Sequence, residues 1–324
     1  MMKSSLLQLC LALILLTTPA SFAQAKDRLN VVYASISGLF LACWVAQDAG
    51  YFDKEGLDVK LVYVQSATTA IQTMLAGEAP IVLAGGEPPV ESALKGADSI
   101  YIGGISIIPA VHFMALPEIR TVQDLRGKPV GVTRFGSSTD FAMRQVLRRN
   151  GLDPVKDVTV LQIAGGHRGL ATSLLSRAVF AATIAPPNSL RAEKGGAKLL
   201  IDMTKAGIFF PYSTIASTRS FVKRNRPQAL AFMKGYSDGI KRMHSDKPFS
   251  LDVIKKYMRE DDPEILETIY KYGTEYIAKI PEPNRDGIVE VLRQSSDPRA
   301  KTAAPESFMD DSLVRELVQR GQYR

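Results

Sequence analysis

From Leu29 onward the chain alternates between short apolar runs and stretches with helical periodicity. LNVVYAS is followed by FLACWVAQDAGYF, LDVKLVYV by TTAIQTMLAG, and APIVLAG by PPVESALKG. Each pair reads as a strand and its helix, and three in a row predict an open α/β lobe. The strands read as nearly all apolar, as expected where helices cover both faces of a parallel sheet. DSIYIGGISIIPAVHFMALPE breaks the rhythm, with two apolar runs and no helix between them. Such an extended stretch suits a chain leaving one lobe for another. The pattern then restarts with KPVGVTR and a helix at Ser138, DVTVLQI and a helix after Gly169, and VFAATIA and a helix after Pro187, before AKLLIDM. This predicts a second α/β lobe over residues 114–208. YSTIAST reads as a return strand, and residues 221–323 read as mostly helical, with Asp262 before Pro263 at one helix start. The C-terminal helices are expected to pack back on the first lobe, which then comprises residues 26–113 and 209–324.

The N-terminus changes the expected compartment. Lys3, the apolar run LLQLCLALILL and small residues up to Ala23 and Ala25 read as a cleaved secretory signal peptide over residues 1–25. The chain is therefore expected in the periplasm. Loss of that segment takes Cys10 with it and leaves Cys43 alone, so stability must come from buried apolar area and not from a disulfide. A composition that is 46% hydrophobic over 324 residues supplies it. The net charge of +7 is spread over interleaved acidic and basic residues, which argues against a nucleic-acid partner. His112, His167 and His244 are scattered, and no HExxH, CxxC or acidic calcium loop occurs, so neither metal nor cofactor is expected. His112 lies in the stretch between lobes and reads as a hinge or core residue. Trp44 and Tyr51 read as core. No nucleophile elbow or phosphate-binding loop is present, so no enzyme is expected.

The candidate chemistry lies at the strand-to-helix junctions. SISG (35–38), QSATT (65–69), GGEPP (85–89), RFGSSTD (134–140) and GGHRG (165–169) are all small, polar and glycine-rich. In a parallel sheet such junctions share the carboxyl edge of the strands, where helix N-termini present unpaired N–H groups. Two such edges facing each other make a cleft suited to an anionic or carbonyl oxygen. Gly136 would let the backbone approach a ligand, and Ser137, Ser138 and Thr139 would offer hydroxyls. Arg134 and Arg168 are candidates for a bidentate clamp on a carboxylate or sulfonate. Phe40, Phe135 and Tyr212 are candidate aromatic walls. Glu87 would accept from a ligand amine or serve only to complement the helix dipole.

Two long segments carry a family resemblance. VVYASISGLFLACWVAQDAGYFDKEGLDVKLVYV with AIQTMLAGEAPIVLAGGEPPVESALKGAD, and TVQDLRGKPVGVTRFGSSTDFAMRQVLRRNGLDP, resemble the nitrate/sulfonate/taurine and thiamine-precursor (NMT1/THI5-like, SsuA-like) substrate-binding proteins of ABC importers. The resemblance covers roughly residues 28–280. It implies the type II periplasmic binding protein fold, two α/β lobes with a central cleft and two hinge crossovers. It also implies a small-molecule ligand, a membrane permease with a cytoplasmic ATPase as partner, and a monomeric receptor. Its matching loops place Ser35, Ser37, Gly38, Ser66, Thr68, Gly86, Glu87, Ser137, Ser138 and Thr139 around the cleft. The chain departs from the family at LLSRAVFAATIAPPN, where Arg177 stands at a glycine position and Phe180 at an aspartate position. The expected ligand is a small organic anion, a sulfonate or carboxylate. Alternatives are a pyrimidine-type thiamine precursor, a periplasmic sensor, and a thiamine-pyrimidine synthase-like enzyme, which would need a cysteine-rich segment that this chain lacks.

Overall fold

The structure, a computed structural model, describes residues 26–323. The segment read as a signal peptide lies outside the described residues. Four strands, β1 (Asp27–Tyr33), β2 (Leu57–Tyr63), β3 (Ile81–Ala84) and β4 (Ser99–Ser106), alternate with α1 (Leu41–Asp48), α2 (Tyr51–Lys54), α3 (Ala67–Leu75) and α4 (Glu87–Leu94). The chain then passes to β5 (His112–Ala115), β6 (Pro129–Val132), α5 (Ser138–Arg149), β7 (Thr159–Gln162), α6 (Gly166–Leu175), β8 (Ala181–Ile184), α7 (Asn188–Lys194) and β9 (Lys198–Asp202). It returns as β10 (Ser213–Thr218) and ends in helices that include α8 (Arg219–Arg224), α9 (Arg226–Ser245), α10 (Lys247–Met258), α11 (Pro263–Tyr276), α12 (Arg285–Gln294) and α13 (Ser312–Gln319).

The strands form two five-stranded sheets, ordered β2-β1-β3-β10-β4 and β7-β6-β8-β5-β9. Neither is purely parallel, which corrects the sequence-based expectation. β10 runs antiparallel to β3 and β4, and β5 runs antiparallel to β8 and β9. The reason is geometric. Each of these two strands is the first after a crossover. A chain leaving the carboxyl edge of one sheet crosses the gap directly and enters the facing sheet from its own carboxyl edge, so it must run against its neighbours. The crossovers lie side by side, with the Phe210 N–H donating to the Ile107 carbonyl at 3.0 Å. Beside them, buried His112 shares a 2.6 Å hydrogen bond with the Tyr272 hydroxyl of α11.

Burial follows strand position. Central β3 and β8 are buried throughout, whereas edge strand β2 alternates at its start and edge strand β7 is partly exposed. A strand covered on both faces must pair any polar group it buries, as Thr183 of β8 does by donating to the Thr139 carbonyl at 3.1 Å, whereas an edge strand can leave polar positions in water. The C-terminal helices pack on the first sheet's helices. Trp44 of α1, fully buried, stacks on Tyr257 of α10 with ring centroids 5.0 Å apart, and Phe52 of α2 stacks on Phe232 of α9 at 5.1 Å. Tyr51 is only partly buried against this core.

Arg177 and Phe180, which the sequence singles out, each have a distinct setting. Arg177 keeps a left-handed backbone, φ 64°, although it carries a side chain. That conformation costs a non-glycine residue about 1–2 kcal/mol, and its exposed ion pair with Glu118 offsets little of it. Phe180 lies under the Lys128 ammonium at 4.5 Å, a cation–π contact.

The helix start at Asp262 is capped as the sequence suggests, its carboxylate accepting from the Glu264 N–H at 2.9 Å and the Ile265 N–H at 3.4 Å. Asp262→Ala is expected to lower stability by about 1 kcal/mol in urea unfolding, with Asp262→Asn retaining most of it. An unchanged midpoint for the alanine variant would show that the cap contributes nothing.

Candidate functional site

The carboxyl edges of the two sheets face each other, and the lobes touch there. Ser138 Oγ donates to Glu87 Oε2 at 2.8 Å, the Gly165 N–H donates to Gln65 Oε1 at 2.9 Å, and Thr68 Oγ1 donates to the Phe135 carbonyl at 3.4 Å. Between these contacts lies a cavity of about 50 Å³. Its first-lobe wall comes from Ser35, Ser37 and Phe40, from Tyr63 at the end of β2, and from Gln65, Ser66 and Gly85. Its second-lobe wall is Thr133, Ser137, Ser138, Thr139, Gly166 and His167, and Tyr212 and Ser213 close it at the hinge.

Helix N-termini build this wall. α3 begins at Ala67, α5 at Ser138 and α6 at Gly166, and residues of all three first turns line the cavity. The first N–H groups of each helix have no partner within the helix, and the dipole adds positive potential. Ser66 caps its own helix by accepting from the Thr69 N–H at 3.2 Å. Ser137 does not, although it stands at the cap position. Its hydroxyl donates to the Arg134 carbonyl at 2.7 Å and shares a cluster with Thr133 and Thr139, with contacts of 2.9–3.1 Å. Ser35 and Ser213 each carry a buried hydroxyl with no partner among the described residues.

No Asp, Glu, Lys or Arg lines this cavity. His167 is its one imidazole, and burial pushes its pKa down to about 4, so the ring is neutral. The Ala185 N–H donates to its Nδ1 at 3.1 Å, and a backbone hydrogen bond to Thr183 opposes the effect of burial, so β8 holds the ring in place. Glu87 stands behind the wall, 3% exposed, with Oε2 on Ser138 and Oε1 unpartnered. Burial pushes its carboxyl up to about 8, against the opposing pull of its own N–H and of Ser138, and Asp140 and Glu91 add repulsion. Among the described residues no group of His, Cys, Asp and Glu is arranged to hold a metal.

Of the residues singled out from the sequence, Ser35, Ser37, Phe40, Ser66, Ser137, Ser138, Thr139 and Tyr212 line the cavity. The others do not. Gly38 and Gly86 serve close packing instead, since a Cβ there would come within 2.7 Å of the Ile269 carbonyl and 2.5 Å of the Pro211 carbonyl, respectively. The Thr68 hydroxyl is taken up by the Phe135 carbonyl. Gly136 has φ 70°, and this turn leaves Arg134, Phe135 and Gly136 exposed, Phe135 at 48%. Phe135 is therefore no wall of the cavity, and Arg134 no clamp in it. Glu87 acts through Ser138. Arg168 lines a wider chamber beside the cavity. The cavity is also lined by Tyr63, Gln65, Gly85, Thr133, Gly166, His167 and Ser213, which are not among the residues expected there from the sequence. Gln65, Gly85, Gly166 and His167 lie inside the glycine-rich junctions, whereas Tyr63, Thr133 and Ser213 sit at strand ends where only the fold reveals their position.

Residues 39–248 match the family model described as NMT1/THI5 like. A Bacillus subtilis protein provisionally named an aliphatic sulfonates-binding protein is 24% identical over 301 residues, 91% of this chain and 86% of that one. The alkanesulfonate-binding protein SsuA from Xanthomonas axonopodis pv. citri, solved with bound MOPS, superposes with a TM-score of 0.71 at 18% identity, covering 91% of this chain and 98% of that one. The periplasmic nitrate-binding protein NrtA from Synechocystis PCC 6803 superposes at 0.74 with 11% identity, covering 92% and 91%.

Proposed function

The chain belongs to the NMT1/THI5-like family, and from that premise we propose that it is the solute-binding component of an ABC importer, capturing a small organic anion between its lobes. The protein acts as a receptor and not as an enzyme, works in the periplasm, and delivers its ligand to a membrane permease driven by a cytoplasmic ATPase. The sulfonate and nitrate specificities named for its relatives support an oxyanion as the group recognised.

The observation that carries this reading is the pair of unpartnered hydroxyls, Ser35 and Ser213, set among three helix N-termini in a cavity without charged side chains. Buried polar groups are ordinarily paired, and these need an acceptor. A sulfonate or carboxylate oxygen supplies it, and neutral donors with helix dipoles hold such a group without a counter-charge. A pyrimidine-type ligand has less support, because Phe135 is outside the cavity and Glu87 is covered by Ser138.

Uptake then proceeds by population shift. Ligand that touches both walls favours the closed arrangement in proportion to its differential affinity for it, and the closed form docks on the permease. A thermal-shift panel of alkanesulfonates, carboxylates, nitrate and pyrimidines tests the ligand class. A true ligand at a hundred times its Kd adds about 2.7 kcal/mol, a shift of several degrees. The double variant Ser137→Ala, Ser138→Ala is expected to weaken binding of that ligand tenfold to a hundredfold with little change in ligand-free melting. Stabilisation by pyrimidines alone, or unchanged affinity in the double variant, would overturn the assignment.

A further inference from the structure

The cavity is too small to hold more than a head group, and it is not isolated. Tyr63, Gln65 and His167 line it on one side and on their other side line a chamber of about 760 Å³. A ligand whose head sits among the hydroxyls therefore extends its remainder past these three side chains. The chamber differs sharply in chemistry from the cavity. Three arginines, Arg168, Arg191 and Arg259, line it, and no carboxylate does. Arg191 is already committed to Glu260, a buried carboxylate of the opposite lobe. Arg168 and Arg259 form no side-chain hydrogen bond or ion pair with any of the described residues.

The positions of these two arginines are informative. Arg168 stands on the first turn of α6 in the second lobe, next to His167 in sequence. Arg259 follows α10 in the first lobe and holds a left-handed backbone, φ 52°, where helix ends ordinarily place glycine. One guanidinium thus comes from each lobe, both without a partner, into one shared chamber.

We propose that the ligand is bifunctional: an oxyanion head in the hydroxyl cavity joined by a short spacer to a second anionic group, a carboxylate, sulfonate or phosphonate, held in the chamber between Arg168 and Arg259. This rests on the reading of the cavity as an oxyanion receptor. The distal anion bridges the lobes just as the head does, so both ends favour closure. Planar guanidinium forks suit a tetrahedral or trigonal oxyanion, and two of them set the preferred length of the spacer. Asn188 of the second lobe also lines the chamber and carries an amide that can donate to the same group.

The test compares α,ω-disulfonates and α,ω-dicarboxylates with two to six carbon atoms between the charged groups against the monosulfonates and monocarboxylates of equal length, by calorimetry on the full mature chain. The readout is the ratio of dianion to monoanion affinity, which cancels general damage to folding or closure. The wild-type protein is expected to prefer one dianion at least tenfold, with the preference shrinking as salt rises. In Arg168→Ala and in Arg259→Ala the ratio falls towards one, and Arg259→Lys recovers part of it. A wild-type ratio near one at every length, or a ratio unchanged in both alanine variants, overturns the bifunctional ligand while leaving the oxyanion cavity standing. Failure of every mono- and dianion to bind the wild-type protein overturns the cavity reading, and this inference with it.

Discussion

Gly85→Ala is expected to weaken ligand binding by about a hundredfold while changing the ligand-free melting temperature by only a degree or two. A Cβ at Gly85 would lie 1.5 Å from Ser138 Oγ and 2.9 Å from Ser138 Cβ, both on the facing lobe. The hydroxyl can rotate away, but the Cβ is fixed to the backbone of α5, so the lobes must stand apart. Within its own lobe the nearest atom to the new methyl is Glu87 Oε2 at 2.9 Å, the end of a side chain that can shift, so that lobe's fold is expected to stay intact. The loss falls on the closed arrangement alone, at about 1.4 kcal/mol for each tenfold of affinity. Calorimetry and small-angle scattering check both halves, with ligand-induced compaction expected to disappear. Adding Ser138→Gly should restore compaction, since it removes both clashing atoms. Wild-type affinity in the single variant would mean that Gly85 and Ser138 do not meet when ligand is bound.

Glu87 gives a second large effect, through pH. Its carboxyl is pushed up to about 8 in the folded protein, against an ordinary value near 4.5, and no cation is among the charges acting on it. The folded state therefore holds a proton that the unfolded state releases. Stability from this group is complete below pH 4.5, falls by about 1.4 kcal/mol per unit as pH rises towards 8, and levels off above that. Glu87→Gln keeps an acceptor for Ser138 without the titration. The variant is expected to match or trail the wild type at pH 5 and to exceed it by on the order of 2–4 kcal/mol at pH 8.5 in chemical unfolding. Burial lowers the pKa values of His112, His167 and His244, which affect stability on the acid side, but they are common to both proteins and cancel in the difference. Parallel pH profiles would show that the carboxyl ionises freely in the folded state.

The two lobes were legible because each strand-helix unit announces itself by its own period, and the junction loops were legible because glycine and hydroxyl residues have few other reasons to recur there. Strand direction was not. An apolar run such as HFMA reports burial, and burial is the same whichever way the strand runs, so β5 and β10 looked like their parallel neighbours. The site was partly legible for a similar reason. RFGSSTD marks a helix start, but Gly136's left-handed turn sends Arg134 and Phe135 to solvent and Ser137 inward. In GGHRG the helix begins at Gly166, before the expected position, and successive residues on a helix point about 100° apart. His167 therefore enters the cavity, and Arg168 does not. The partnership of Ser138 with Glu87 joins positions far apart in the chain, and nothing local encodes it.

The place of β10 has a consequence for how the chain acquires its structure. This strand inserts between β3 and β4, so the first sheet keeps an open slot until residues 213–218 are available, after the entire second lobe has been made. The second sheet needs nothing beyond β9. During synthesis or refolding the middle of the chain can therefore mature first, while the earliest-made segment waits for a late arrival, and that long-range closure is the slow event. A chain cut short before β10 would yield one competent half and one half with an unzipped core.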